Sequence, residues 1–199
     1  MTGPRIGSLF SGYGGLDLVV ESVLGGSVAW HCEYDAAPSR ILAHHWPDVP
    51  NLGDITTVDW DEVEPVDVIT GGFPCQDASV AGKGAGIHGS RTGLWFRMLD
   101  IIKATKPIGV IGENVPGLLR RGLDVACRGL QDAGYEVEAT RLSASDLGFS
   151  HRRERVVIVA VANAYLQRRD RWTRQGGEHD GRAEPADGRG GPPVADPDG

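Results

Sequence analysis

The chain is poor in several things that would have defined it. It has only three cysteines in 199 residues, Cys32, Cys75 and Cys127, an odd and unpatterned set. They form no CxxC metal site and no disulfide framework, so a reducing, cytoplasmic setting is expected. No apolar stretch approaches the length of a membrane span, and no apolar signal region follows Met-Thr-Gly-Pro-Arg, so no membrane partner is expected. Basic residues are outnumbered: 20 Lys and Arg stand against 27 Asp and Glu, a net charge of −7. That balance argues against a self-sufficient nucleic-acid binder, because phosphate contacts need cations. There is no internal repeat and no Gly-Lys-Ser phosphate loop, and the glycine turn after the first strand lacks the GxGxxG spacing of a dinucleotide site.

Ordinary globular composition remains, with 40% hydrophobic and 24% charged residues, enough for one domain with a substantial core. Apolar, β-rich runs at 5–10, 28–33, 66–70, 108–112, 135–142 and 155–161 read as strands. Between them, residues 16–24, 36–45, 94–104 and 118–133 carry apolar positions at three- and four-residue spacing and read as helices. Such alternation predicts an α/β domain over 1–165, with a doubly wound, mostly parallel sheet and helices on both faces. From Gln167 onward the chain is rich in Gly, Arg, Asp and Pro, with Trp172 and Val194 almost its only large apolar residues. The segment 166–199 is therefore expected to be a polar tail, disordered in isolation.

Three loops at one edge of that sheet share a chemistry. The first strand runs into Phe10-Ser11-Gly12-Tyr13-Gly14-Gly15, where glycines let a ligand approach the backbone at a helix N-terminus. The second ends in Glu33, 33 − 14 = 19 residues past Gly14, the spacing at which a carboxylate meets ribose hydroxyls. Tyr34 follows, placed to cover an adenine face, and Gly53-Asp54-Ile55 adds a carboxylate suited to an exocyclic amine. An adenosyl ligand without a phosphate chain fits this set.

A second group gathers on the loops that follow. Cys75, in Gly71-Gly72-Phe73-Pro74-Cys75-Gln76, lies after the 66–70 run. Glu113, in Gly112-Glu113-Asn114-Val115-Pro116, ends the 108–112 run, and His151-Arg152-Arg153-Glu154-Arg155 precedes the last. A thiolate to attack a ring carbon, a carboxyl for a ring nitrogen and an arginine for a ring carbonyl suit a pyrimidine base. Arginines nearby would also raise the thiolate fraction.

In their order, Phe-Ser-Gly-Tyr-Gly-Gly, Gly-Asp-Ile, Gly-Gly-Phe-Pro-Cys-Gln, Ser90-Arg91-Thr92-Gly93-Leu94, Glu-Asn-Val and Arg-Arg-Glu-Arg resemble the DNA cytosine-C5 methyltransferase family over about residues 5–162. The resemblance implies a Rossmann-like methyltransferase fold and S-adenosylmethionine as cofactor. It places Phe10, Gly12, Gly14, Gly15, Glu33, Tyr34, Asp54, Ile55, Pro74 and Leu94 around that cofactor. It makes Cys75 the nucleophile on C6 of a cytosine flipped from double-stranded DNA, with Glu113 on N3 and the exocyclic amine, Arg155 on O2 and Arg153 in support. The glycine-rich stretch 78–88, with Lys83, resembles a loop that closes over the base. His151 stands where the family usually has glutamine, and Asp77-Ala78 where a small residue and an aromatic are usual. The family's variable recognition domain and the segment that returns to close the cofactor pocket have no counterpart in the chain. The resemblance thus implies a catalytic lobe that relies on a missing lobe or a second subunit for recognition. A catalytically silent binding module, and a transfer-RNA methyltransferase from one branch of the family, remain alternatives at this point.

Overall fold

The structure, a computed structural model, describes residues 3–74 and 93–176, and side chains as far as Arg169. The chain divides into two units, Met1–Leu166 and Gln167–Gly199. The first holds strands β1 (Arg5–Leu9), β2 (Ser27–Cys32), β3 (Val68–Gly71), β4 (Gly109–Asn114), β5 (Tyr135–Ser143) and β6 (Glu154–Ala162). Helices α1 (Gly15–Leu24), α2 (Ala36–His45), α3 (Gly93–Thr105), α4 (Leu118–Arg121) and α5 (Leu123–Asp132) connect them. No described helix is long and apolar enough to cross a membrane.

One sheet of order β2-β1-β3-β4-β6-β5 organises the unit. The pairs β1–β2, β1–β3 and β3–β4 are parallel, whereas β6 runs antiparallel to both β4 and β5. Alternate side chains send the core to both faces, as a period of two requires. Ile6, Val28 and Val68 pack with Val20 of α1 in one apolar cluster, while Leu9, Ile69 and Val110 join Trp95, Met98 and Ile102 of α3 in another. The expected doubly wound, mostly parallel sheet is therefore present, with one reversal. Beyond β2, the edge is continued by a single parallel bridge, His31 to Asn51, which lays residues 51–53 beside the carboxyl end of β2.

Two expectations need correction. The helical pattern over 118–133 is two helices, because Gly122 sits at φ 152° and breaks the path between α4 and α5. The polar segment from Gln167 does not begin as coil. Helix α6 (Asn163–Gly176) runs into it, and Leu166, Gln167, Arg168 and Arg169 are good helix formers. Residues 177–199 lie outside the described part.

Trp30 shows how tightly the β2 side is packed. Its ring is 1% exposed, its indole N–H donates to the Glu64 carbonyl at 3.0 Å, and Trp60 meets it edge-on at 5.6 Å. Gly7 makes room for it, since a Cβ there would lie 2.2 Å from the ring.

Candidate active site

The carboxyl edge of β1 begins with a strained residue. Phe10 adopts φ 53°, in the left-handed region that a bulky side chain seldom enters, while its N–H donates to the Cys32 carbonyl at 2.9 Å. Gly12 and Gly14 follow at φ 55° and 78°. A Cβ at Gly12 or Gly15 would meet nothing within 4 Å, so both leave open backbone at the mouth of α1. Gly14 differs. A Cβ there would strike Trp46 at 2.5 Å, so this glycine serves the packing of α1 against the end of α2.

Glu33 holds the turn closed. One carboxylate oxygen accepts the Gly12 N–H at 2.8 Å and the other accepts the Asp35 N–H at 2.8 Å. A carboxylate oxygen can take more than one donor, so ribose hydroxyls can still be accepted. Asp54 accepts from the Thr56 N–H and hydroxyl at 2.9 and 2.8 Å through one oxygen. These bonds hold its carboxyl below the usual range, which keeps it an acceptor for an amine. Tyr34 is 80% exposed, its ring open for a planar group. A cavity of about 590 Å³ is lined by Phe10, Glu33, Tyr34, Asp54, Ile55, Pro74 and Leu94, with Cys32, Asp35, Gly53, Thr56 and Gly72. It therefore unites seven of the ten residues expected around the cofactor. The Glu33 and Asp54 carboxylates, an exposed aromatic and the apolar Ile55, Pro74 and Leu94 fit the donors and ring of an adenosyl group. Cys32 is inert here: it donates to the Gly53 carbonyl at 3.2 Å, and burial pushes its thiol up to about 12.

A second cavity of about 640 Å³ adjoins the first and shares Phe10 and Gly72 with it. Gly12 and Gly15 line it, and so do Glu113, Arg153 and Arg155. Arg155 Nε lies 2.5 Å from Glu113 Oε1, with the two side chains 29% and 32% exposed. The reversal of β6 brings them together. A parallel strand would start at the far edge, but β6 begins where β4 ends, pairing Val157 with Glu113 and Val156 with Asn114. Arg153, Arg155 and Val157 then line the cavity at a period of two. Cys75, Gln76, the stretch 78–88 with Lys83, and Ser90-Arg91-Thr92 lie outside the described residues. The last described residues before Cys75 are nonetheless anchored: the Asn114 amide donates to the Phe73 carbonyl at 2.9 Å, and Phe73 packs on Trp95 at 4.7 Å.

A buried polar cluster that sequence reasoning missed lies at the second cavity, which Ser8, Asp17 and Thr70 line. Asp17, 1% exposed in the first turn of α1, accepts from Thr70 of β3 at 2.6 Å and Ser8 of β1 at 2.8 Å. His31 Nε2 stands 3.8 Å from the same carboxylate. Burial raises the Asp17 carboxyl against the pull of these hydroxyls, and burial lowers His31 despite that carboxylate. The cluster ties the glycine turn to two strand ends. Its only sequence signal is a charged residue inside an apolar helix start. Asn114 is a further functional candidate, and its cue in the sequence is a polar residue ending an apolar strand beside Glu113.

A doubly wound sheet whose carboxyl edge carries a carboxylate- and aromatic-lined cavity, sharing Phe10 and Gly72 with an acid–arginine cavity, fits a group-transfer site of the nucleotide-cofactor type. Comparison narrows the class. Residues 5–180 match the family model of the C-5 cytosine-specific DNA methylases. The type II methyltransferase M.HgiBI of Herpetosiphon aurantiacus is 35% identical over 79% of this chain and 37% of its own length. For M.HhaI of Haemophilus parahaemolyticus the identity is 32%, over 82% of this chain and 50% of its own. The S. pombe Dnmt2 methyltransferase shares the fold at a TM-score of 0.67 and 19% identity, over 80% of this chain and 50% of its own. The chain belongs to the C-5 cytosine-specific DNA methylase family. It spans half or less of the length of the two curated relatives.

Proposed function

We propose that this chain is the catalytic lobe of a DNA cytosine-C5 methyltransferase. The first cavity binds S-adenosylmethionine and the second receives a cytosine flipped out of double-stranded DNA. The observation that carries the reading is the junction of the two cavities at Phe10 and Gly72, the point where a donor and an acceptor would meet. When bound, S-adenosylmethionine supplies an electrophilic methyl group. Cys75, as thiolate, adds to C6 of the base and makes C5 nucleophilic. Glu113 engages N3 and the exocyclic amine, Arg155 holds O2, and Arg153 supports the site. After C5 is methylated, loss of its proton expels Cys75 and restores the ring. Flipping is needed because C6 is closed off inside a stacked duplex.

Target recognition, in this reading, comes from polypeptide beyond the described lobe, either a further domain or a second subunit. Helix α1 supports it. Its inner face buries Val20, yet Leu18, Val19 and Val23 are 53–74% exposed, as is Tyr13 just before it. A helix apolar on all sides is normally covered, and Val19 and Tyr13 border the second cavity.

Covalent trapping tests the proposal. The chain, with S-adenosylmethionine and a mixed-sequence duplex containing 5-fluorocytosine, should give a denaturant-stable adduct. Cys75→Ser should abolish the adduct while S-adenosylhomocysteine affinity by calorimetry stays within a few-fold. Cofactor binding without an adduct, even after a recognition lobe is added in trans, would sink the catalytic reading.

A further inference from the structure

The tip that joins β5 to β6 carries chemistry that the proposed reaction does not use. After β5, a single 3-10 turn (Ala144–Leu147) ends at Gly148, whose φ of 86° reverses the chain. The Gly148 and Phe149 amides donate to the Ser145 and Ala144 carbonyls at 3.1 and 3.0 Å, so the backbone at Phe149 is fixed. Its side chain is nevertheless 61% exposed, as Leu147 is at 68%. An apolar residue after such a capped turn ordinarily folds back onto it; Phe149 instead stacks on His151, with centroids 5.9 Å apart and planes 21° from parallel. His151 Nδ1 accepts the Arg153 N–H at 3.4 Å, which leaves Nε2 to donate elsewhere.

This platform adjoins a locally basic stretch of an acidic chain. Residues 151–155 contain three arginines and a histidine. The one carboxylate among them, Glu154, lies 3.6 Å from Arg141; Glu113 pairs with Arg155, and Asp146 stands in the first turn of the 3-10 segment, so Arg152 and Arg153 carry the local charge. Arg153, two residues from His151, already lines the cavity assigned to the base. A duplex that delivers a base there presents its neighbouring, unstacked base and its backbone to whatever borders the mouth.

We propose that Phe149 and His151 form a stacking platform for the DNA next to the extruded cytosine, with Arg152 on the adjacent phosphate. The inference rests on the reading of the second cavity as a base site. An exposed ring on a fixed backbone offers a π-face at little ordering cost, and the basic stretch supplies the local charge that the chain as a whole lacks.

The test is fluorescence anisotropy with the full-length chain and two short DNA duplexes of one sequence. One is fully paired, and the other carries its cytosine opposite an abasic site. Phe149→Ala should weaken binding of the second duplex roughly tenfold, the scale of one lost base–aromatic stack. S-adenosylhomocysteine affinity and Tm should not move. Phe149→Leu, which keeps apolar bulk without a ring, should be as weak as Phe149→Ala, and Phe149→Trp should bind like the wild type. Arg152→Ala should weaken both duplexes and lower the salt slope by about one. Unchanged affinities in these variants of a DNA-binding wild type overturn the platform alone. A wild type that binds cofactor but neither duplex at low salt overturns the base-site reading and the platform with it. Tighter binding of RNA of the same sequence overturns the assignment to DNA.

Discussion

The two halves of the carboxyl edge are built by different means. Around the first cavity, the loops after the parallel strands supply a strained Phe10, shared with the second cavity, and carboxylates already tied to backbone amides. Asp17, Ser8 and Thr70, which line the second cavity, tie the start of α1 to β1 and β3. Around the base-shaped cavity, the antiparallel β6 supplies side chains: an arginine and a glutamate facing each other across the sheet, each about one third exposed. One half is preformed by the fold, and the other is placed on it. A fixed ligand suits the first half. A base that must enter and leave suits the second.

Removing a core support should break the cofactor half most. Trp30→Ala deletes a buried ring wedged over Gly7 and strands the Glu64 carbonyl. We expect a loss of about 3–5 kcal/mol, the usual cost of truncating a buried aromatic. A thermal scan would record it as a large fall in Tm, accompanied by loss of S-adenosylhomocysteine binding. A fall confined to about 1 kcal/mol would mean that this side of the sheet is looser than its packing implies.

Glu33→Ala sharpens the contrast at intermediate scale. Removing the carboxylate frees the Gly12 and Asp35 amides and, under the proposed function, the ribose hydroxyls. Cofactor affinity by calorimetry should fall by about 1–3 kcal/mol, the cost of leaving such partners unmade. Unchanged affinity would remove Glu33 from the cofactor site and leave it as a brace for the turn alone.

How far these halves were legible in the chain follows the same division. The cofactor loops fall in chain order at strand ends, so Glu33 and Asp54 are candidates by position, and Phe10 by the resemblance. Gly14 illustrates the limit, since only the structure shows that Trp46 fills the space its missing Cβ leaves. The base half was readable as motifs but not as geometry. An apolar run such as 155–161 has no direction written in it, and the reversal of β6 comes from pairing with β4 and β5. The Asp17 cluster was illegible for a related reason. Ser8, Asp17 and Thr70 are single polar residues in three apolar segments, and their partnership exists only once β1 and β3 are in register. The break at Gly122 depended on a φ angle that helical periodicity does not encode.

The smallest stability effect should come from the pair that matters most to the proposed chemistry. Arg155→Gln removes the guanidinium facing Glu113 and keeps a side chain of similar reach. Both groups are about one third exposed at a cavity wall where water can take the place of the lost partner, so the ion pair contributes about 1 kcal/mol and Tm should change little. Cofactor affinity should also hold, because Arg155 borders the second cavity and not the first. Trapping on 5-fluorocytosine DNA, by contrast, should be lost, since Arg155 is the guanidinium paired with Glu113 and, in the proposed reading, the donor to the base carbonyl. A variant that kept trapping would move the carbonyl contact to Arg153. A variant that unfolded would reverse the comparison, making the arginine edge a support of the fold and the cofactor edge its dependant.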